Sequence, residues 1–158
     1  MGLKEKLATA APTTWPAEGI SEEEVRRIVE DTKAGRGVDV KVAEMNVRLD
    51  KIAELKDGWN GYGGAKTFSK ELVEYCCEIV NELATEPFIA GLFIAPTACG
   101  SIQFEYEKEN DDYLEFEIFE DRIKMYSNIK EKGEIEETWD GDDCINQIKK
   151  AVEKFYMD

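Results

Sequence analysis

The sequence predicts an α+β domain: an antiparallel meander of three to four strands with helices packed on one of its faces. Three observations predict it. Apolar residues recur at threes and fours over residues 42–55, 72–83 and 145–155, the period of an amphipathic helix. From Ser101 to Ile129 the period changes to two: Ile102, Phe104 and Tyr106 alternate with Gln103, Glu105 and Glu107, and Leu114, Phe116 and Ile118 with Glu115 and Glu117. The breaks inside that block are short and carry turn formers, so hairpins join neighbouring strands. Helices first, then a meander, then a helix is the order of an α+β fold.

Along the chain, residues 1–20 hold Pro12 and Pro16 and read as an arm, with Trp15 as its one large anchor. Residues 21–37 read as a separate helix, with Ser21 and Glu24 forming a capping box and Gly35 and Gly37 ending it. Its apolar stripe, Val25, Ile28 and Val29, is narrow, which suits peripheral packing or a homodimer through this helix. The domain proper is expected over 38–158. Val38, Val40 and Val42 alternate, so a short strand is expected to lead into the helix of Val42, Met45, Leu49, Ile52 and Leu55. The loop from Asp57 to Phe68 follows, and Ser69 caps a helix to about Ala84. Phe68 and Val73 fit a hydrophobic staple there. Pro87 breaks the chain, and FIAGLFIAPTACG reads as a buried or edge strand with turns at Gly91 and Pro96. Strands are expected over 101–108, 113–119 and 122–129, with a fourth over 134–139 and a last helix over 144–156.

Charge is the unusual property. The 158 residues suit one domain, and their net charge of −15 repels nucleic acid and anionic membranes while attracting basic surfaces. Between Ser101 and Asp143 there are sixteen acids against five bases, a net of −11, so the charge sits on the meander and its turns. If the apolar face packs on the helices, Glu105, Glu107, Glu115 and Glu117 share the opposite face. Directly opposed like charges cost up to about 1 kcal/mol per pair, which Arg122 and Lys124 are placed to relieve. Three readings stay open: an ordinary solvated face, an anionic surface shaped for a basic groove, and a divalent-cation site. The candidate partner-binding residues are those four glutamates, the turn acids Asp111, Asp112, Asp140, Asp142 and Asp143, and the aromatics Trp59 and Tyr62.

Catalytic signals are weak. There is no histidine, so the usual triads and imidazole metal sites are absent. Cys76, Cys77, Cys99 and Cys144 have neither framework spacing nor a CxxC pair and read as reduced thiols in a cytoplasmic setting. GWNGYGGAKT lacks the phosphate-loop pattern GxxxxGKS/T: Asn60 and Ala65 stand where both glycines belong. Its glycines read as turn formers, with Trp59 and Tyr62 either closing the core or exposed as interface anchors. No cofactor or metal is expected, and a divalent-metal enzyme is the least favoured class. No apolar run approaches membrane-spanning length.

Two stretches, GWNGYGGAKTFS (58–69) and APTACGSIQFEYE (95–107), resemble a group of small bacterial and phage-associated proteins. That group shows W-D/N-G-Y-G-A before a helix and P-T-x-G-G/S-I-Q-x-E-W/Y along a strand. The resemblance covers residues 50–128, with an extra glycine at Gly64 and one extra residue at Ala98-Cys99. It brings no catalytic residue. It implies a mobile-element role in host–phage conflict, of an anti-CRISPR-like kind. The resulting expectation is an acidic inhibitor, plausibly a nucleic-acid mimic, of a cationic nucleic-acid-binding protein. The alternative is an antitoxin or immunity-type protein anchored by Trp59, Tyr62 and Trp15 on a toxin.

Overall fold

A computed structural model describes residues 37–61, 63–85 and 88–157. The expected arm, the expected 21–37 helix with its dimer face, Trp15 and Tyr62 lie outside the described residues. Three helices and five strands run in the order α1 (Gly37–Ala53), α2 (Lys70–Glu82), β1 (Phe93–Pro96), β2 (Ile102–Glu107), β3 (Tyr113–Ile118), β4 (Ile123–Ile129), β5 (Gly133–Trp139) and α3 (Cys144–Met157) among the described residues.

Helix α1 absorbs the valines expected to form a lead-in strand. Three alternating β-branched residues cannot compete with a helix whose later turns bury Met45, Leu49 and Ile52 completely. Gly37, expected as a stop, instead opens α1. Helix α2 begins as expected: the Ser69 hydroxyl accepts from the Leu72 backbone N–H at 3.1 Å. The staple residues Phe68 and Val73 flank that cap and are both buried.

The strands form one sheet in sequence order, every neighbour antiparallel. There are five strands rather than three or four, because β1 pairs with β2 through Phe93–Glu105, Ile94–Phe104, Ala95–Gln103 and Pro96–Ile102. Pro96 ends an edge strand, where its missing N–H costs no ladder bond. The register sorts the side chains into two faces. Ile94, Ile102, Phe104, Tyr106, Leu114, Phe116, Ile118, Ile123, Met125 and Trp139 share one, and with the buried residues of the three helices they form a single core. Phe116 sits at its centre, tilted against Trp139 with centroids 5.9 Å apart and edge-on to Tyr106 at 6.4 Å.

The two edges differ. Strand β1 is packed by α1, whose Arg48 guanidinium lies 4.7 Å above the Phe93 ring. Strand β5 is exposed from Gly133 to Thr138 and carries Glu134, Glu136 and Glu137, charges that discourage edge-to-edge pairing. Gly91 is required by packing: a Cβ there would overlap the Tyr156 hydroxyl.

Candidate functional site

The acidic residues divide between the second sheet face and the turns. On that face the register places Phe93, Glu105, Glu115, Tyr126 and Glu136 in one row across the strands. The next row is Ala95, Gln103, Glu117, Lys124 and Thr138, and a third holds Glu107, Tyr113, Asn128 and Glu134. The four glutamates therefore do share one side, as alternation predicts. They do not make an open anionic face. Glu105 and Glu115 are only 8% and 6% exposed, Glu117 is half-buried, and Glu107 alone is exposed.

The buried pair is held by local hydrogen bonding. Glu115 accepts from the Tyr113 hydroxyl at 2.8 Å and from Gln103 Nε2 at 3.0 Å, so both carboxylate oxygens are engaged. Burial, then the negative charges of Glu105 and Glu115, push the Tyr113 phenol far above its ordinary range. Glu117 accepts from Ser101 Oγ at 2.5 Å and stands opposite Lys124 in the ladder. Lys124 is thus placed beside Glu117 in the ladder, with its ammonium leaning over the Phe119 ring at 5.4 Å. Arg122 is not: it pairs with Asp121 at 2.8 Å and stacks 4.0 Å above Phe119, staying in the β3–β4 turn.

The expected turn acids also separate. Asp112 is buried and structural: it accepts from the Lys130 backbone N–H at 2.8 Å and from Asn110 Nδ2 at 3.1 Å. The Lys130 N–H, first, holds its carboxyl below the usual carboxylate range. Asp111 is exposed at φ +70°, a conformation that Asp tolerates in a turn. Asp140, Asp142 and Asp143 are exposed in the turn before α3, where Gly141 takes φ +94° and Asn146 Nδ2 donates to Asp143 at 2.8 Å.

Those last three belong to one end of the sheet. The pairs Ile118–Ile123 and Ile123–Trp139 bring the β3–β4 turn beside the turn before α3. Between them lies a cleft of about 340 Å³ lined by Tyr75, Glu78, Glu120, Asp121, Asp142 and Cys144, among others, with Arg122 as its one cation among the described residues. Glu78, Glu120 and Asp121 were not singled out in sequence. Glu78 stands far from the others along the chain, and Glu120-Asp121 reads only as the tight turn between two strands, so only the register brings them together.

Trp59 is a core residue, not an interface anchor. It is 6% exposed, tilted against Phe68 at 6.1 Å, and its indole N–H donates to the Lys66 carbonyl at 3.0 Å. That bond closes the loop carrying the first resemblance motif, and the Lys66 N–H donates to the Ala98 carbonyl at 3.0 Å in the second motif. The two motifs therefore meet in space. Gly100, at φ +91°, permits this approach, its missing Cβ facing the Thr67 carbonyl at 3.4 Å.

The thiols of Cys76, Cys77 and Cys144 are each pushed up, chiefly by burial, the reverse of an activated nucleophile. Among the described residues no group of three or more Cys, Asp or Glu is arranged to hold a metal ion. No helix among them is long and apolar enough to cross a membrane. No protein-family model, no curated protein and no solved structure matches this chain.

Proposed function

We propose that this chain is an acidic binding protein that blocks a cationic, nucleic-acid-handling partner. Its contact surface is the acidic end of the sheet rather than the sheet face. The observation that carries the reading is the cleft of Glu78, Glu120, Asp121 and Asp142, extended by the exposed Asp140 and Asp143. Its single arginine is already engaged by Asp121. A concave, cation-poor site of this kind suits a projecting lysine or arginine, and its summed field steers a basic partner from a distance. Glu105 and Glu115 support the sheet and make no contact in this reading. The resemblance of the two loop motifs to phage-associated proteins fits an anti-defence role for such an inhibitor, with mimicry of a nucleic-acid strand as its mechanism.

The antitoxin-type alternative loses Trp59, one of its three expected anchors, to the core.

The test is capture from host extract by the tagged chain, at low salt and at about five-fold higher salt. Nucleic-acid-binding proteins should be retained at low salt and released at high salt. The combined variant Glu120→Lys, Asp121→Lys, Asp140→Lys and Asp142→Lys should retain none of them. Retention unchanged by both salt and charge reversal overturns the reading.

A further inference from the structure

The opposite end of the sheet holds a lysine-lined groove. By register, the β2–β3 and β4–β5 turns lie together at the far end from the acidic cleft, and α3 runs toward them. Helix α3 packs over β3 and stops short of β5. Ile135 therefore faces the helix side of the sheet, opposite Ser127, yet is 41% exposed. What remains between α3 and the outer strands is a groove of about 540 Å³. Its apolar lining includes Leu114, Met125, Ile129, Ile135, Trp139 and Phe155.

Among the described residues, five lysines line the same groove: Lys108, Lys130, Lys132, Lys150 and Lys154. In a chain with 20 bases and a net charge of −15, a quarter of the positive charge surrounds one cavity. Three acids also line it, Asp112, Glu131 and Glu137, so among the described residues the lysines outnumber the acids by two. Asp112 is bound by Asn110 and the Lys130 N–H, and Glu137 accepts from the Trp139 indole at 2.9 Å. Lys108 is held with its ammonium 4.7 Å above the Phe155 ring, at the groove's edge. The helix dipole accounts for a lysine in the last turn of α3, which describes Lys154. It does not account for Lys108, Lys130 and Lys132, which come from the sheet turns. The lysines gather toward the turn end, while the apolar floor continues toward Trp139 at the other.

We propose that this groove binds an amphiphilic organic anion, a monocarboxylate with an apolar tail. The carboxylate sits among the lysines and the tail lies along Ile135 toward Trp139. The volume is that of a small-molecule site. The charge pattern chooses the headgroup, because the lining offers an anion five lysines against three acids. This site lies at the other end of the sheet from the acidic cleft and is independent of the function proposed for it.

Calorimetric titration of the full chain with dodecanoate tests the proposal, with the neutral amphiphile dodecyl maltoside and inorganic phosphate as comparison probes. Dodecanoate should bind one per chain and shift tryptophan fluorescence, a shift lost in Trp139→Phe. The other two probes should bind at least about ten-fold more weakly. Lys150→Glu with Lys154→Glu, both on the solvated side of α3, should weaken dodecanoate about ten-fold. Ile135→Asp, on the exposed edge strand, should do the same through the tail. Circular dichroism confirms that each variant keeps its fold, and Lys130→Glu replaces any that does not. The proposal is overturned if dodecanoate binds no better than dodecyl maltoside, or if headgroup and tail variants all bind it unchanged. It is equally overturned if phosphate competes as well as dodecanoate, since the apolar floor would then contribute nothing.

Discussion

Glu115 shows how a glutamate is kept inside a sheet that has another glutamate, Glu105, directly across the ladder. Each of its oxygens accepts one hydrogen bond, from Tyr113 and Gln103. Removing the phenol in Tyr113→Phe leaves one buried carboxylate oxygen without that donor, a loss of about 1–3 kcal/mol. Chemical denaturation should show it as a lower midpoint with an unchanged slope; an unchanged midpoint would mean that the bond contributes nothing. Tyr126 gives a second, pH-dependent case. Its hydroxyl donates to Glu134 at 2.6 Å, and that bond, more than burial, pushes the phenol from 10.0 up to about 12. The folded chain thus holds this proton more tightly than the unfolded one. The contribution is whole below pH 10.0 and is lost as pH rises toward about 12. Thermal melts across that window should fall more steeply for the native chain than for Tyr126→Phe, and parallel curves would remove the effect.

At the scale of elements, β5 is the exposed edge of the sheet. It is an outer strand, exposed over six of its seven residues, with Ile135 on its groove side. Glu134, Glu136 and Glu137 keep a second chain from pairing with it. Replacing all three by threonine, which favours strands and carries no charge, should leave the monomer folded and make it associate. Light scattering at rising concentration measures this, and a triple variant that stays monomeric would show that another feature protects the edge. The sequence made most elements legible because their signals are local: the Ser69 cap, the period of two in β2 to β4, the apolar face of α3. It misled where a local signal lost to packing. The valines before Met45 joined a helix, while the stretch read as a buried or edge strand became β1 and brought the sheet to five strands through its pairing with β2.

At the scale of the whole molecule, the candidate sites were the least legible. Alternation tells which side of a strand a glutamate takes, not whether that side is open, so Glu105 and Glu115 read alike with Glu107 and proved buried. Turn composition marked Asp112 and Asp140 equally, although one is tied into the backbone and the other is exposed. The lysine-lined groove left no trace in sequence. Its five lysines are spread from Lys108 to Lys154 and converge only through strand register. What results is a molecule with an acid-lined cleft at one end of its sheet and a lysine-lined groove at the other.

The strict succession of the strands has a bearing on how the chain is made. Each strand pairs with the one translated just before it, so the sheet grows in the order of synthesis with only short loops to close. The seal comes last. Ile148, Val152 and Phe155 are translated after every described strand, so the core over β3 closes only once they join it. A chain cut before residue 144 would keep all five strands but lack the Ile148, Val152 and Phe155 side chains that close the core over β3, and such a product would leave a chaperone most to cover.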